Sequence, residues 1–162
     1  MTRTYVSIAD GLSRIFGFLS VLLLVAAMLV VCQMIFLRYF FRLPTIWQVD
    51  FVVYAATASI FLGSPYVLMK NAHVNVDVVE NILSGDWRAA QRFIGRVLGL
   101  IFCAVMFAAS VNYLWEAITL GWHTNTIWQI PLWIPIIPMP IGFGLLCVQY
   151  LAEFLRPKDE TP

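Results

Sequence analysis

Residues 15–37, IFGFLSVLLLVAAMLVVCQMIFL, run for 23 positions without a charge between Arg14 and Arg38. At about 1.5 Å per residue, a helix of that length reaches roughly 35 Å. That is enough to cross a hydrocarbon layer about 30 Å thick. The apolar part of a secretory leader is shorter, about 7–15 residues, so the stretch reads as a spanning helix. Leu29-Val30-Val31 ahead of Cys32 offers no small residue for a lipoprotein cleavage site.

Working outward from this helix, the same pattern recurs. Residues 51–69 are charge-free between Asp50 and Lys70, and residues 97–115 between Arg96 and Glu116. A fourth window lies between Glu116 and Glu153, densest at residues 130–152. Apolar residues make up 61% of the chain and charged residues 12%, against roughly 45–50% and about 25% in an ordinary soluble domain. Residues 1–162 therefore read as a single four-helix integral membrane domain of the all-α class, with spans at about 15–37, 51–69, 97–115 and 130–152.

Basic residues set the expected orientation. Arg3 and Arg14 precede the first span, Lys70, Arg88, Arg92 and Arg96 lie between the second and third, and Arg156 and Lys158 follow the fourth. The opposite side carries only Arg38 and Arg42. The positive-inside bias then places both termini in the cytoplasm.

In the 70–96 segment, Val74, Val78, Val79, Ile82 and Leu83 fall on one helical face, which predicts a short cytoplasmic interfacial helix between spans two and three. Ser84-Gly85-Asp86 reads as a stop followed by a restart, with Asp86 able to cap the next helix. Arg88, Arg92 and Arg96 then form a basic stripe that faces either anionic head groups or a partner protein.

Small residues form two ladders: Ala55, Ser59 and Gly63 on the second helix, and Gly95, Gly99 and Cys103 on the third. Such ladders let helices approach closely in lipid, within this chain or against another subunit. Pro131, Pro135, Pro138 and Pro140 crowd the start of the fourth span. Each lacks an amide donor, which predicts a kinked or partly irregular first half. That half is either a bent helix near the outer surface, with Trp122, Trp128 and Trp133 as an aromatic belt, or a broken helix of the kind that builds ion sites.

Several chemistries are missing. No charged side chain falls in the middle of a span, where proton relays and ion pathways usually place one. His73 and His123 lie on opposite sides of the membrane, so no haem can be axially held between spans. There is no phosphate-binding loop, dinucleotide fingerprint, nucleophile elbow or zinc spacing. Cys32, Cys103 and Cys147 lie inside spans and read as packed apolar side chains, with no disulfide or metal framework. Gln33, Thr57, Ser59, Ser64, Asn112 and Gln149 read as interhelical hydrogen bonders.

The order RYFFRLPTIWQVD, an apolar span with Gly63, then KNAHVNVDVV resembles the DctQ-like small membrane subunit of tripartite ATP-independent periplasmic (TRAP) transporters. Arg38, Tyr39, Trp47, Asp50, Gly63, Lys70, His73 and Asp77 occupy the family's positions. Trp128, Pro131, Trp133, Pro138, Pro140 and Gly142 are similar to its fourth helix. One departure is that Gln48-Val49 precede a single Asp50, where the family often has paired acids.

The resemblance implies a non-enzymatic subunit, multi-pass in a bacterial inner membrane, that braces a large multi-span subunit. A periplasmic substrate-binding protein would deliver an organic acid. Sodium coupling would reside in the large subunit, with no cofactor in this chain. Expected partners are those two proteins and membrane lipids, with no nucleic acid. The alternatives are an autonomous four-helix channel or carrier, and a membrane anchor or assembly subunit outside transport.

Within this frame Arg38, Arg42, Trp47, Asp50, His73, Asp77, Arg88, Arg92 and Arg96 are the candidate subunit or lipid interface residues. An Arg38–Asp50 or Arg42–Asp50 pair would close the hairpin of the first two helices, with Trp47 anchoring it. The alternative is that both arginines extend to head groups. His73 and Asp77, four apart, are expected to fix a turn or to serve function directly.

Overall fold

The computed structural model describes residues 2–71, 87–126 and 129–155. It is helical, with α1 at Thr2–Phe40, α2 at Trp47–Asn71, α3 at Trp87–Thr119, a single turn α4 at Trp133–Ile136, and α5 at Pro138–Leu155. Four segments are long and apolar enough to cross a membrane: Tyr5–Phe40, Trp47–Lys70, Ile94–Thr119 and Trp133–Leu155. Among the described residues there is no strand beyond an isolated bridge between His123 and Pro131. The interfacial helix expected around residues 74–83, the Ser84-Gly85-Asp86 restart, His73, Asp77 and Trp128 lie outside the described residues.

Helix α1 is longer than its charge-free core. It starts at Thr2 and at about 1.5 Å per residue extends nearly 60 Å. Its small residues Ala9, Ser13 and Ala27 are buried, whereas Ile15, Phe18, Leu22 and Leu29 are exposed. This is the reverse of a soluble amphipathic helix, because lipid solvates bulky apolar side chains while helix contacts favour small ones. The helix ends after Phe40, and Arg42 takes a left-handed backbone with φ 51°. Arg38 and Arg42 therefore do not share a continuing helical face.

Helix α3, described from Trp87 onward, ends in a glycine cap. Gly121 has φ 61°, its amide donates to the Ile118 carbonyl at 3.4 Å, and the Trp122 amide donates to the Ala117 carbonyl at 3.1 Å. This is the paired six-to-one and five-to-two closure that favours glycine at the helix end. The following loop folds back on itself through Thr124 amide to Ile130 carbonyl, 2.9 Å, and Leu132 amide to Trp122 carbonyl, 2.8 Å.

The proline-rich segment is partly irregular, as the sequence predicts: residues 130–132 are not helical, and the single turn α4 is set off from α5 at Ile137. Ile137, between α4 and α5, keeps helical dihedrals (φ −47°, ψ −44°). Pro138 and Pro140 sit in the first turn of α5, where amides have no intrahelical acceptor anyway. At a helix start, Pro138 and Pro140 cost α5 itself no hydrogen bond.

Helix α5 is the hub, packing against α1, α2 and α3, and α1 pairs along its length with α2. Helix α3 packs on α5 and α4, with no comparable contact to α1 or α2 among the described residues. The four spans thus form an α1/α2/α5 group with α3 attached to one side, not a closed bundle, and α1 and α3 keep broad apolar faces uncovered.

Candidate functional site

Both small-residue ladders meet helices of this same chain. Ala55 and Ser59 are buried, and a Cβ at Gly63 would lie 2.6 Å from Ser20 Oγ. Ser20 Oγ donates to the Ser59 carbonyl at 2.7 Å and lies 3.1 Å from Ser59 Oγ. The second ladder divides. Gly99 abuts the Tyr150 ring and Cys103 is buried, while among the described residues nothing approaches Gly95. On α1, Gly17 packs against Tyr66, so Ala9, Ser13, Gly17 and Ser20 make a further small-residue stripe. Its near four-residue spacing is legible in the sequence, although most of it precedes the charge-free core.

An open groove of about 480 Å³ runs beside this contact, lined by Ser20, Ser59, Ile60, Gly63, Ser64 and Val67 among others. Its hydroxyls are already engaged: Ser64 Oγ donates to the Ile60 carbonyl at 2.6 Å, and the two other serines bond each other. The groove is therefore suited to apolar contact more than to a polar ligand.

A polar cluster links three helices where α1 begins and α5 ends. Ser13 Oγ donates to Gln149 Oε1 at 2.8 Å, and Gln149 Nε2 donates to Asp10 Oδ1 at 3.0 Å. The Tyr5 hydroxyl reaches the Val148 carbonyl at 3.4 Å. One turn further along α5, the buried Glu153 pairs with Arg96 of α3 at 3.1 Å. Gln149 was expected to bond between helices and does so. Asp10, Ser13 and Glu153 were missed. Their signal was the three- and four-residue spacing of polar side chains (10 and 13, 149 and 153) at the ends of apolar runs.

The candidate interface residues are scattered over the molecule. Arg96 is held by Glu153. Arg88 and Arg92 lie on the first turns of α3, which accords with a helix that projects beyond its apolar span. Arg38 is in the last turn of α1, and Trp47 and Asp50 are in the first turn of α2. Among the described residues neither arginine forms an ion pair with Asp50. The expected hairpin clasp is absent among the described residues, where α1 stops at Phe40 and Arg42 takes a left-handed backbone.

Asp50 instead stands at a helix N-terminus, where a carboxylate is favoured by about 0.3–1 kcal/mol. Asp50→Ala should accordingly change the stability of the isolated chain by less than about 1 kcal/mol, as read by thermal denaturation in detergent. Trp47 meets Phe51 of its own helix, ring centroids 6.3 Å apart. Between them in sequence Gln48 is 95% buried, and its Oε1 has no hydrogen-bond partner among the described residues.

Four exposed aromatics crowd the end of α1. Phe36 and Phe40 lie 4.6 Å apart, Phe36 and Phe41 6.0 Å, and Tyr39 and Phe40 5.4 Å. Flanked by Arg38 and Arg42, they form the aromatic and basic rim typical of a membrane surface.

A family model described as "Tripartite ATP-independent periplasmic transporters, DctQ component" matches residues 27–158. The chain is similar to a C4-dicarboxylate TRAP transporter small permease protein DctQ of Vibrio cholerae. Identity is 24% over 138 residues, covering 72% of this chain and 60% of that protein. A protein of the same name from Rhodobacter capsulatus is 24% identical over 89 residues, covering 55% of this chain and 39% of that protein. The chain thus spans less than two thirds of the length of these curated relatives. No solved structure matches it.

Proposed function

Because this chain belongs to the DctQ component family of tripartite ATP-independent periplasmic transporters, with four helices able to span the inner membrane, we propose that it is the small membrane subunit bracing a larger one. The larger subunit would carry the substrate and sodium sites. A periplasmic substrate-binding protein would deliver the cargo. Both ends of the chain would face the cytoplasm, on the side richer in Arg and Lys. The cargo is an organic acid, and C4-dicarboxylates, named in both relatives, are the first to assay.

One observation carries this reading. The membrane-embedded polar groups this chain buries are largely engaged in joining its own helices, as in Ser20–Ser59 and Ser13–Gln149–Asp10. Groups engaged in that way give rigidity. The apolar faces of α1 and α3, by contrast, are left for lipid and a larger companion.

Co-expression with the larger and periplasmic components tests the proposal. This chain should co-purify with the larger subunit, and uptake of a labelled dicarboxylate should require both together with a sodium gradient. Proteoliposomes of this chain alone should move neither solute nor sodium. Flux through the isolated chain would favour an autonomous carrier.

A further inference from the structure

Exposed polar side chains in the spanning helices are of two kinds. The hydroxyls of Thr57 and Thr119 donate to carbonyls four residues earlier on their own helices, Val53 at 2.8 Å and Trp115 at 2.9 Å. A hydroxyl satisfied in this way can face lipid at little cost. Gln33 on α1, like the exposed Asn112 on α3, is different. Its amide offers two donors and an acceptor, yet it is exposed and makes no hydrogen bond among the described residues.

Gln33 lies five residues before Arg38, about 7.5 Å further into the apolar run. The exposed Leu22, Leu29 and Phe36 share its face of the helix. An acyl chain offers no hydrogen-bonding group at that depth, and an unmet amide in hydrocarbon is unfavourable. A lipid head group reaches the level of Arg38 and Arg42 but not that of Gln33. A second membrane-embedded protein can satisfy both levels.

Charge narrows the choice further. Arg38 and Arg42 are exposed and form no ion pair among the described residues. A second copy docked through the same face would set its own Arg38 and Arg42 against these two, so a partner bearing an acid there fits better.

We propose that the α1 face through Leu22, Leu29, Gln33 and Phe36 is the docking surface for a transmembrane helix of the larger membrane subunit. That helix supplies a polar group at the level of Gln33 and an acid toward Arg38 and Arg42. The inference rests on the small-subunit reading above and adds to it the surface used.

Photoreactive benzoylphenylalanine placed at Leu29 or Phe36, in the co-expressed complex in native membranes, tests it. Irradiation should give an adduct with the combined mass of this chain and the larger subunit. Gln33→Leu should lower recovery of the larger subunit about threefold, the size of a typical intramembrane hydrogen bond. If the unaltered chain retains the larger subunit but these positions label only lipid, or a second copy of this chain, the docking surface is wrong and the small-subunit reading stands. Undiminished recovery with Gln33→Leu would remove the amide from the contact. Failure of the unaltered chain to retain the larger subunit overturns both.

Discussion

Gly142→Ala should force α2 and α5 apart. A Cβ at this position would lie 2.5 Å from the carbonyl oxygen of Phe61 and 2.8 Å from its carbonyl carbon. These are backbone atoms and cannot rotate away as a side chain could. The approach has a cause in α2 itself. Pro65, fully buried inside that helix, has no N–H to donate to the Phe61 carbonyl four residues earlier. That carbonyl instead faces the Cα hydrogen of Gly142, a weak contact that recurs where helices touch closely.

Overpacking of this kind costs about 1–3 kcal/mol, so the purified protein should melt several degrees lower, and Gly142→Leu lower still. Gly95→Ala is the matched comparison. Among the described residues nothing lies within 4 Å of a Cβ at that position, and alanine is favoured over glycine in a helix by up to about 1 kcal/mol. An unchanged melting temperature for Gly142→Ala would show that the two backbones are not in contact.

The second large effect is expected at Gln149. Its side chain is 1% exposed and bonds Ser13 with its oxygen and Asp10 with its nitrogen. Gln149→Leu keeps the volume and removes both bonds, leaving buried polar atoms of α1 without that amide. Such a loss costs about 1–3 kcal/mol, and the separation of α1 from α5 should appear as increased susceptibility to unfolding in a denaturing detergent. Ser13→Ala alone should cost less. The pair combined should fall short of the sum by at least 0.5 kcal/mol or so, as expected for residues in direct contact. Strict additivity would mean that Ser13 and Gln149 do not bond.

Neither site was fully legible beforehand. Gly142 stood out only as part of a family-like fourth helix, and nothing in the residue types around Pro65 marks the Phe61 carbonyl as its contact. Gln149 was read correctly as an interhelical hydrogen bonder, but its partners were not identified. Asp10 and Ser13 precede the charge-free window of the first span, yet lie in the first turns of a helix of 39 residues. The Arg–Asp50 clasp failed for a related reason. Whether two charges meet across a turn depends on the backbone at Arg42, and a left-handed residue there leaves no mark in the residue types.

The sequence by itself determined the four spans, their approximate limits, the family resemblance and the absence of a charge at mid-membrane. These follow from hydropathy and motif order, which are sums over neighbouring residues and need no knowledge of the partner helix. Tertiary structure alone decided that α5 is the hub, that Gly99 is packed while Gly95 is open, and that α1 turns its small residues inward. Those outcomes depend on the rotation and depth of each helix against another, and a shift of one residue turns a helix by about 100° and exposes a different face.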